Sequence, residues 1–521
     1  MKNMNKYHNI LSNMKTSRYI LLALTILSFA SCYRDESTDA TLPIAEILIN
    51  ESNLKKEYNI QKNDTLIIQP VVTQLNDALP LSYKWELDQK VVSEEKDLFY
   101  VGNTLGTYNG RLIVENEDGK AFFTFVLNVN SPYESGLTVL SKDTDGHPYI
   151  AFMQESLIAG ETTNFYDENC LEKNNPTQFF SSNPSDIIHT TGSLIVACQG
   201  NDSEEDGASI YFLNEKTFVV ENIVESKEYE TFKPTRLLTP QGSYDGSAYP
   251  VLSADGKMYS LPTYNAVLQP SHKLLSTYAQ VGFALGDATY NDIIVWDKEV
   301  NGLVCIYNSY GPYYCGEKYL LQRDSLLADE YYEKYFSKLN ELCTLTPIHR
   351  TAEKEKTSRK ELIAIVKAPL HCQKAIFATF FWEAITGSYG KYKVLDNGGF
   401  TKAASKSYSL INESTPCIAN STYETMLFAN GNKVMRWYYA STAEKYYLEN
   451  ADELLKVGSE DAIITSFEIS KDHLKTYVAF YEPNQKGKNG SVWVFETNSG
   501  KVIEKHNNVC YQPIKVIYKK K

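Results

Sequence analysis

A thiol that ends an uncharged apolar run is a substrate for lipid attachment, and Cys32 has that setting. It closes the stretch Leu27-Ser28-Phe29-Ala30-Ser31-Cys32. Lys15 and Arg18 supply positive charge before it, and Tyr19 to Phe29 supply an apolar core without charge. Ala30 and Ser31 are the small residues a signal peptidase needs beside its cut. Phe29 stands where Leu is commoner. The segment from Met14 to Cys32 is already a complete signal, so the start at Met1 or at Met14 is left open. The run is too short to span a bilayer comfortably. The expectation is that residues 1–31 are cleaved, that Cys32 becomes an acylated N-terminus, and that 32–42 form a polar tether.

The remaining chemistry-bearing residues do not assemble into a catalytic signature. There is no HExxH, GxSxG or phosphate-binding loop. The eight histidines are scattered, with no pair spaced for a metal. Asp202, Glu204 and Asp206 before Gly207 faintly resemble a calcium loop, but Leu213 stands where the bidentate Glu belongs. Asp143-Thr144-Asp145-Gly146 reads as a hairpin turn. Carboxylates are plentiful, yet no two are singled out as a glycosidase pair. No catalytic residue, metal or cofactor is therefore expected. Aromatic side chains offer binding instead, because they stack on sugar rings or bury peptide side chains at low entropic cost. The candidates are Tyr310, Tyr313, Tyr314, Trp382, Trp437, Tyr438 and Tyr439, each of which could equally fill a core.

Composition narrows the partners. The chain has 521 residues, and loss of the leader takes its formal charge from −13 to −17. An acidic surface repels nucleic acid and anionic lipid, so neither is expected as a partner and the lipid anchor is the sole membrane contact. The eight cysteines after Cys32 lie at 170, 198, 305, 315, 343, 372, 417 and 510, with no CxxC pair. A zinc knuckle is thereby absent. Most of these thiols are expected as small buried apolar groups, and any pairing is unassigned.

Two regions must carry these residues. Over 43–131, short strands alternate with turns: Thr65–Val72, Leu81–Leu87, Gly110–Glu115 and Ala121–Val129, with a hairpin at Glu117-Asp118-Gly119-Lys120. This pattern around one Trp predicts a β-sandwich with Trp85 between the sheets. The series Tyr83/Trp85, Gly106/Tyr108 and Leu112/Val114/Asn116/Gly119 resembles the PKD-like domain, an immunoglobulin-like sandwich. Leu105–Gly110 fits a strand entry of the tyrosine-corner kind.

Over 135–521, strand pairs recur with Asp-Gly, Asn-Gly or Gly-Lys turns, ending in Ile463–Ile469, Thr476–Tyr481 and Ser491–Glu496. Their spacing predicts a β-propeller, with seven blades at roughly 45 residues each. Ile514–Tyr518 is expected to close the ring beside Leu137–Leu140, which removes exposed sheet edges. A helical insertion is expected near 309–355, with Asp324–Cys343 as the helix and Leu327, Tyr331, Tyr335, Leu339 and Leu342 on one stripe. The fold expected is thus all-β: sandwich, then propeller, with one helical insertion.

Tyr33-Arg34-Asp35-Glu36-Ser37 resembles the acidic tag of surface-exported lipoproteins of Bacteroidetes. Together with the junction Ser131–Ser141, the whole pattern resembles the PKD-like family of Bacteroidetes lipoproteins. That resemblance implies a lipid-anchored protein on the outer face of the outer membrane. It implies an accessory role beside a SusC-like TonB-dependent transporter and a SusD-like lipoprotein, catching oligosaccharides or peptides. Two other readings stay open: a propeller hydrolase or lyase acting on the same nutrient, and a structural subunit bracing the transporter.

Overall fold

The computed structural model describes residues 44–76, 78–154, 166–201, 203, 205–225, 229–238, 240–241, 248–262, 268–270, 278–286, 291–298, 302–308, 315–320, 342–351, 359–368, 372–383, 391–395, 410–440 and 447–519, some of them as backbone only. The chain divides into two compact units, 1–130 and 131–521. Both are built of strands, and the chain is all-β among the described residues apart from single helical turns.

The first unit holds β1 (Ile47–Asn50), β2 (Glu57–Gln61), β3 (Thr65–Ile68), β4 (Val71–Gln74), β5 (Ser82–Leu87), β6 (Lys90–Ser93), β7 (Leu98–Val101), β8 (Gly106–Asn116) and β9 (Gly119–Asn130). A five-stranded sheet runs β2-β9-β8-β5-β6, and β1–β4 and β3–β7 form two-stranded ribbons. Apolar residues alternate along β5, β8 and β9, so one face of each is buried. Trp85 is fully buried against Phe125. Its indole Nε1 donates to the Glu95 carbonyl at 3.0 Å, which satisfies the one polar atom the core must accept. The Tyr108 hydroxyl donates to the carbonyl of Thr104 at 2.8 Å and pins the entry to β8. The expected strand Thr65–Val72 is two strands instead. Pro70 lacks an amide to donate, and the chain on either side of it pairs in different ribbons.

In the second unit the strands form antiparallel meanders, taken in order along the chain. Pro184–Thr190 leads Ser193–Cys198, Ser209–Asn214 and Val220–Glu225; Pro234–Leu237 leads Ala248–Ser253, Met258–Pro262 and Gln269–Pro270. Tyr278–Gly286 leads Asn291–Asp297, Gly302–Asn308 and Cys315–Leu320, while Leu342–His349 leads Arg359–Ala368, Cys372–Glu383 and Lys391–Leu395. Cys417–Asn420 leads Thr425–Asn430, Lys433–Tyr438 and Asp452–Lys456, and Ile463–Ile469 leads Lys475–Tyr481, Gly490–Glu496 and Val502–Cys510. The final strand, Gln512–Lys519, pairs with Gly136–Lys142, which continues to Pro148–Gln154 and Tyr166–Asp167. Leu137 faces Tyr518, and Val139 faces Val516. The two ends of the unit therefore share one sheet, in the pairing expected from the sequence.

The middle strands are apolar on both faces. Leu362 to Val366 are all fully buried, as are Leu194 to Cys198 to within 1 % exposure. A strand of this kind is covered by a sheet on each side. Leu194 and Val196 pack toward Leu140, Ile150 and Phe152, whereas Ile195 and Ala197 pack toward Val251 and Leu261. Val478 and Phe480 meet Leu427 and Val434, and Tyr477 and Ala479 meet Val139 and Ala151. The last sheet thus packs against the first, in a propeller-like succession. Lys519, 2 % exposed, donates its ammonium to the carbonyls of Tyr133 and Glu134 and ties the closing strand to the start of the unit. Burial pushes this amine down to about 8.

The expected insertion is smaller than the sequence suggested. Cys315–Leu320 and Leu342–His349 are strands of the body, so the helix cannot run to Cys343. The alternation of Thr344 and Thr346 with Leu345 favours a strand there. Residues 324–341 of that helix lie outside the described residues.

Gly110 supplies a stability test for the first unit. It pairs across the sheet with Phe125, and a Cβ at this position would lie 2.3 Å from the ring. Gly110→Val must displace a buried aromatic side chain. The expected loss is about 1–3 kcal/mol, read as a lower midpoint in urea denaturation of the full chain.

Candidate functional site

Polar side chains converge where the leading strands of the second unit begin. Six of those strands carry one extra residue near their start: Ser185, Thr235, Ala279, Cys343, Thr465 and Ile514 have no partner in the register of the next strand. A bulge of this kind bends the strand and re-aims the residue after it. The following residues are Asp186, Arg236, Gln280, Thr344, Ser466 and Lys515. All six line one cavity of about 280 Å3, together with Cys417 from the remaining leading strand.

The lining is held by its own hydrogen bonds. Lys515 Nζ donates to Asp186 Oδ1 at 2.6 Å. The same carboxylate accepts from the amides of Ile187 (2.9 Å) and Leu237 (2.7 Å), so a buried charge is paired and its lone pairs are used. Gln280 accepts from the Leu345 amide at 2.7 Å and donates to the Glu413 carbonyl at 3.2 Å. The rim is the segment Asn412-Glu413-Ser414-Thr415-Pro416. Asn412 Oδ1 accepts from the Ser414 amide (2.9 Å) and hydroxyl (2.7 Å), a local turn that Asn favours. Hydroxyls of Ser185, Thr235 and Thr465 donate to carbonyls of the neighbouring strand at the bulges and keep acceptor capacity.

Three titratable groups near this lining are shifted by enclosure. Burial pushes the Cys417 thiol up to about 12, which leaves it protonated and a poor nucleophile. Burial raises Glu468 to about 7, with Lys515 opposing the shift. Burial, with smaller contributions from His473 and Arg236, lowers His349 to about 4. Glu468 and His349 each keep part of their surface open, yet protein encloses them closely enough for desolvation to dominate.

A larger cavity, about 590 Å3, lies on the sheet of the first unit beside Lys56, Glu86, Asp88, Asn109 and Arg111. Its charges are spent locally: Arg111 pairs with Glu86 at 2.6 Å, and Asp88 accepts from the Asn109 amide at 2.9 Å. The smaller cavity is the better site because polar groups from many strands meet there.

The aromatic candidates divide. Trp437 (1 % exposed) and Tyr439 (8 %) pack in a core with Met426 and Phe428, and Tyr439 donates its hydroxyl to the Asn420 carbonyl at 3.0 Å. They fill the space between sheets and present no face to a ligand. Tyr438 is half-buried, with the Arg436 guanidinium 5.0 Å from its ring centre. Trp382 lies on the strand Cys372–Glu383, whose backbone alone is described. Tyr310, Tyr313, Tyr314 and Cys32 lie outside the described residues. Sequence reasoning did not find the cavity residues. The signal it left unread is a polar residue two places after the start of an apolar leading strand, as in Pro184-Ser185-Asp186 and Pro234-Thr235-Arg236.

In the turns noted in the sequence, Asp143 and Asp206 accept from nearby amides, while Asp202 and Glu204 lie outside the described residues. Asp143 accepts from the amides of Asp145 and His147, both at 2.9 Å, and approaches the His147 ring at 3.2 Å. Asp206 accepts from the Ser182 amide at 2.8 Å. The five cysteines whose side chains are described are free thiols, four of them buried.

The fold and site define an all-β protein with a polar cavity at the convergence of successive sheets. No family model matches the chain, and no curated protein does. Among solved structures it is similar to β-propeller proteins, several of them from Bacteroides. One is a quinonprotein alcohol dehydrogenase-like protein from Bacteroides thetaiotaomicron, at 13% identity and TM-score 0.43, covering 91% of this chain and 99% of that one. Another is the periplasmic gluconolactonase of Pseudomonas aeruginosa, at 14% identity and TM-score 0.40, covering 74% and 98%. A third is the Cps50 (Swd1) β-propeller domain from Myceliophteria thermophila, at 11% identity and TM-score 0.33, covering 62% and 88%.

The shifted groups predict a pH dependence. Glu468 rises from 4.5 to about 7 on folding, so the folded chain holds more protons between these values. Stability from this group falls as pH rises through that window. His349, lowered from 6.5 to about 4, acts oppositely, and its contribution falls as pH drops through that range. Glu468→Gln should raise the thermal midpoint over the parent chain more at pH 8 than at pH 4.5. An equal offset at both would show that Glu468 does not ionise as assigned.

Proposed function

We propose that this chain is a lipid-anchored protein of the outer-membrane surface. It binds a small polar part of an oligosaccharide or peptide nutrient, as accessory subunit to a SusC-like transporter and its SusD-like partner. The observation that carries the binding role is the cavity of about 280 Å3, where the leading strands place polar side chains and an ion pair. Its volume lies just below the range usual for ligand sites, roughly 300–1,000 Å3, and so suits a small group. The anchor rests on the signal ending at Cys32. The partners rest on resemblance to the PKD-like lipoproteins.

In this reading the second unit is a seven-bladed propeller. Face-to-face packing of successive sheets supports it, as does the closing pair of Gln512–Lys519 with Gly136–Lys142. The first unit is an immunoglobulin-like, PKD-like sandwich, supported by buried Trp85 and the Tyr108 corner bond.

Affinity capture from native outer membranes tests the partners. A SusC-like transporter and SusD-like lipoprotein are expected to co-purify, and their absence would end the accessory role. Cys32→Ala tests the anchor. The variant is expected in the soluble fraction with an unchanged thermal midpoint, and retention in the membrane would rule out lipidation at this thiol.

A further inference from the structure

The charges around the cavity point to one ligand class more narrowly. Asp186 and Lys515 neutralise each other. Glu413 sits on the rim, exposed to solvent. Arg236 is half-buried in the lining, and its guanidinium has no hydrogen-bond or ion-pair partner among the described residues. Its neighbour His349 is held neutral and offers no competing charge.

A planar guanidinium presents parallel N–H donors that match a carboxylate in two-point contact. One unpaired cation balances one negative charge. A dianion such as a phosphate ester would bring a second charge toward Asp186 and Glu413. The rest of the lining is hydroxyl-rich, with Thr235, Thr344, Thr346 and Ser414 around the cavity; the Thr235 and Ser414 hydroxyls donate to the Leu252 carbonyl and to Asn412 Oδ1, which leaves their lone pairs to accept from ligand hydroxyls. The volume suits one small ring, with any further chain left outside the mouth.

Resting on the nutrient-binding role above, we infer that this cavity takes the carboxylate-bearing sugar of an acidic glycan, a uronate residue, with Arg236 gripping the carboxylate. Neutral hexoses leave the guanidinium unpaired and bind weakly. Short peptides bring a terminal carboxylate but lack the hydroxyls that the threonine and serine lining would meet.

Calorimetry on the detergent-extracted full chain tests this with D-glucuronate, D-galacturonate, D-glucose, D-galactose, inorganic phosphate and dialanine. The expected result is binding of one or both uronates, at least about tenfold tighter than the matching hexose and than phosphate or dialanine. Arg236→Gln should weaken the uronate at least about tenfold, and Arg236→Lys should recover part of the loss. Should Arg236→Gln fail to fold, discrimination by the parent chain decides alone. Equal binding of hexose and uronate, tighter phosphate or dialanine, or binding of no probe would overturn the inference. So would uronate binding indifferent to Arg236. Capture of the transporter would stand through any of these results, so failure here is separable from failure of the accessory role.

Discussion

Pairing of the last strand with the first strand of its unit is the constraint on which the second unit depends. Gln512–Lys519 is the leading member of a sheet whose other strands lie near residue 140. Without it, Gly136–Lys142 would expose a free edge, and the cores on either side of that sheet would each lose a wall. The same strand delivers Lys515 to Asp186, 329 residues away in sequence. Closure of the fold and assembly of the site are thus one event.

Strand irregularity serves the site in the same way. A perfectly paired leading strand would alternate its side chains strictly between neighbouring cores. One extra residue near the start breaks that alternation and frees a position for the cavity. Asp186 and Arg236 both follow such a residue, and each would be costly to bury between apolar sheets without its bulge. Polar chemistry is thereby gathered into a place that the packing of the sheets leaves open.

The two units solve the burial problem differently. In the first, strands alternate apolar and polar residues because one face meets solvent, and the sequence shows this plainly at Tyr83, Trp85 and Leu87. In the second, runs such as Leu362-Ile363-Ala364-Ile365-Val366 are buried on both faces. Such runs carry no period of two, and a strand can be read from them only by length and β-branching. Only the end of the expected helix, Leu342 and Cys343, is strand instead, for a related reason. Its apolar stripe was extended into Leu342–His349, where Thr and Leu alternate in a leading strand.

Local sequence was enough to locate the turns, most strands and the burial of Trp85, because these depend on neighbours within a few residues. It also anticipated the closing pair, since a sheet with an unmet edge needs a partner. It could not separate Trp437 and Tyr439, which are core, from aromatic residues at a surface, because exposure is a property of what packs against a strand. Nor could it place Asp186, Arg236 and Lys515 around one cavity. Those residues lie on strands far apart in the chain, and only closure of the unit brings their bulged starts together.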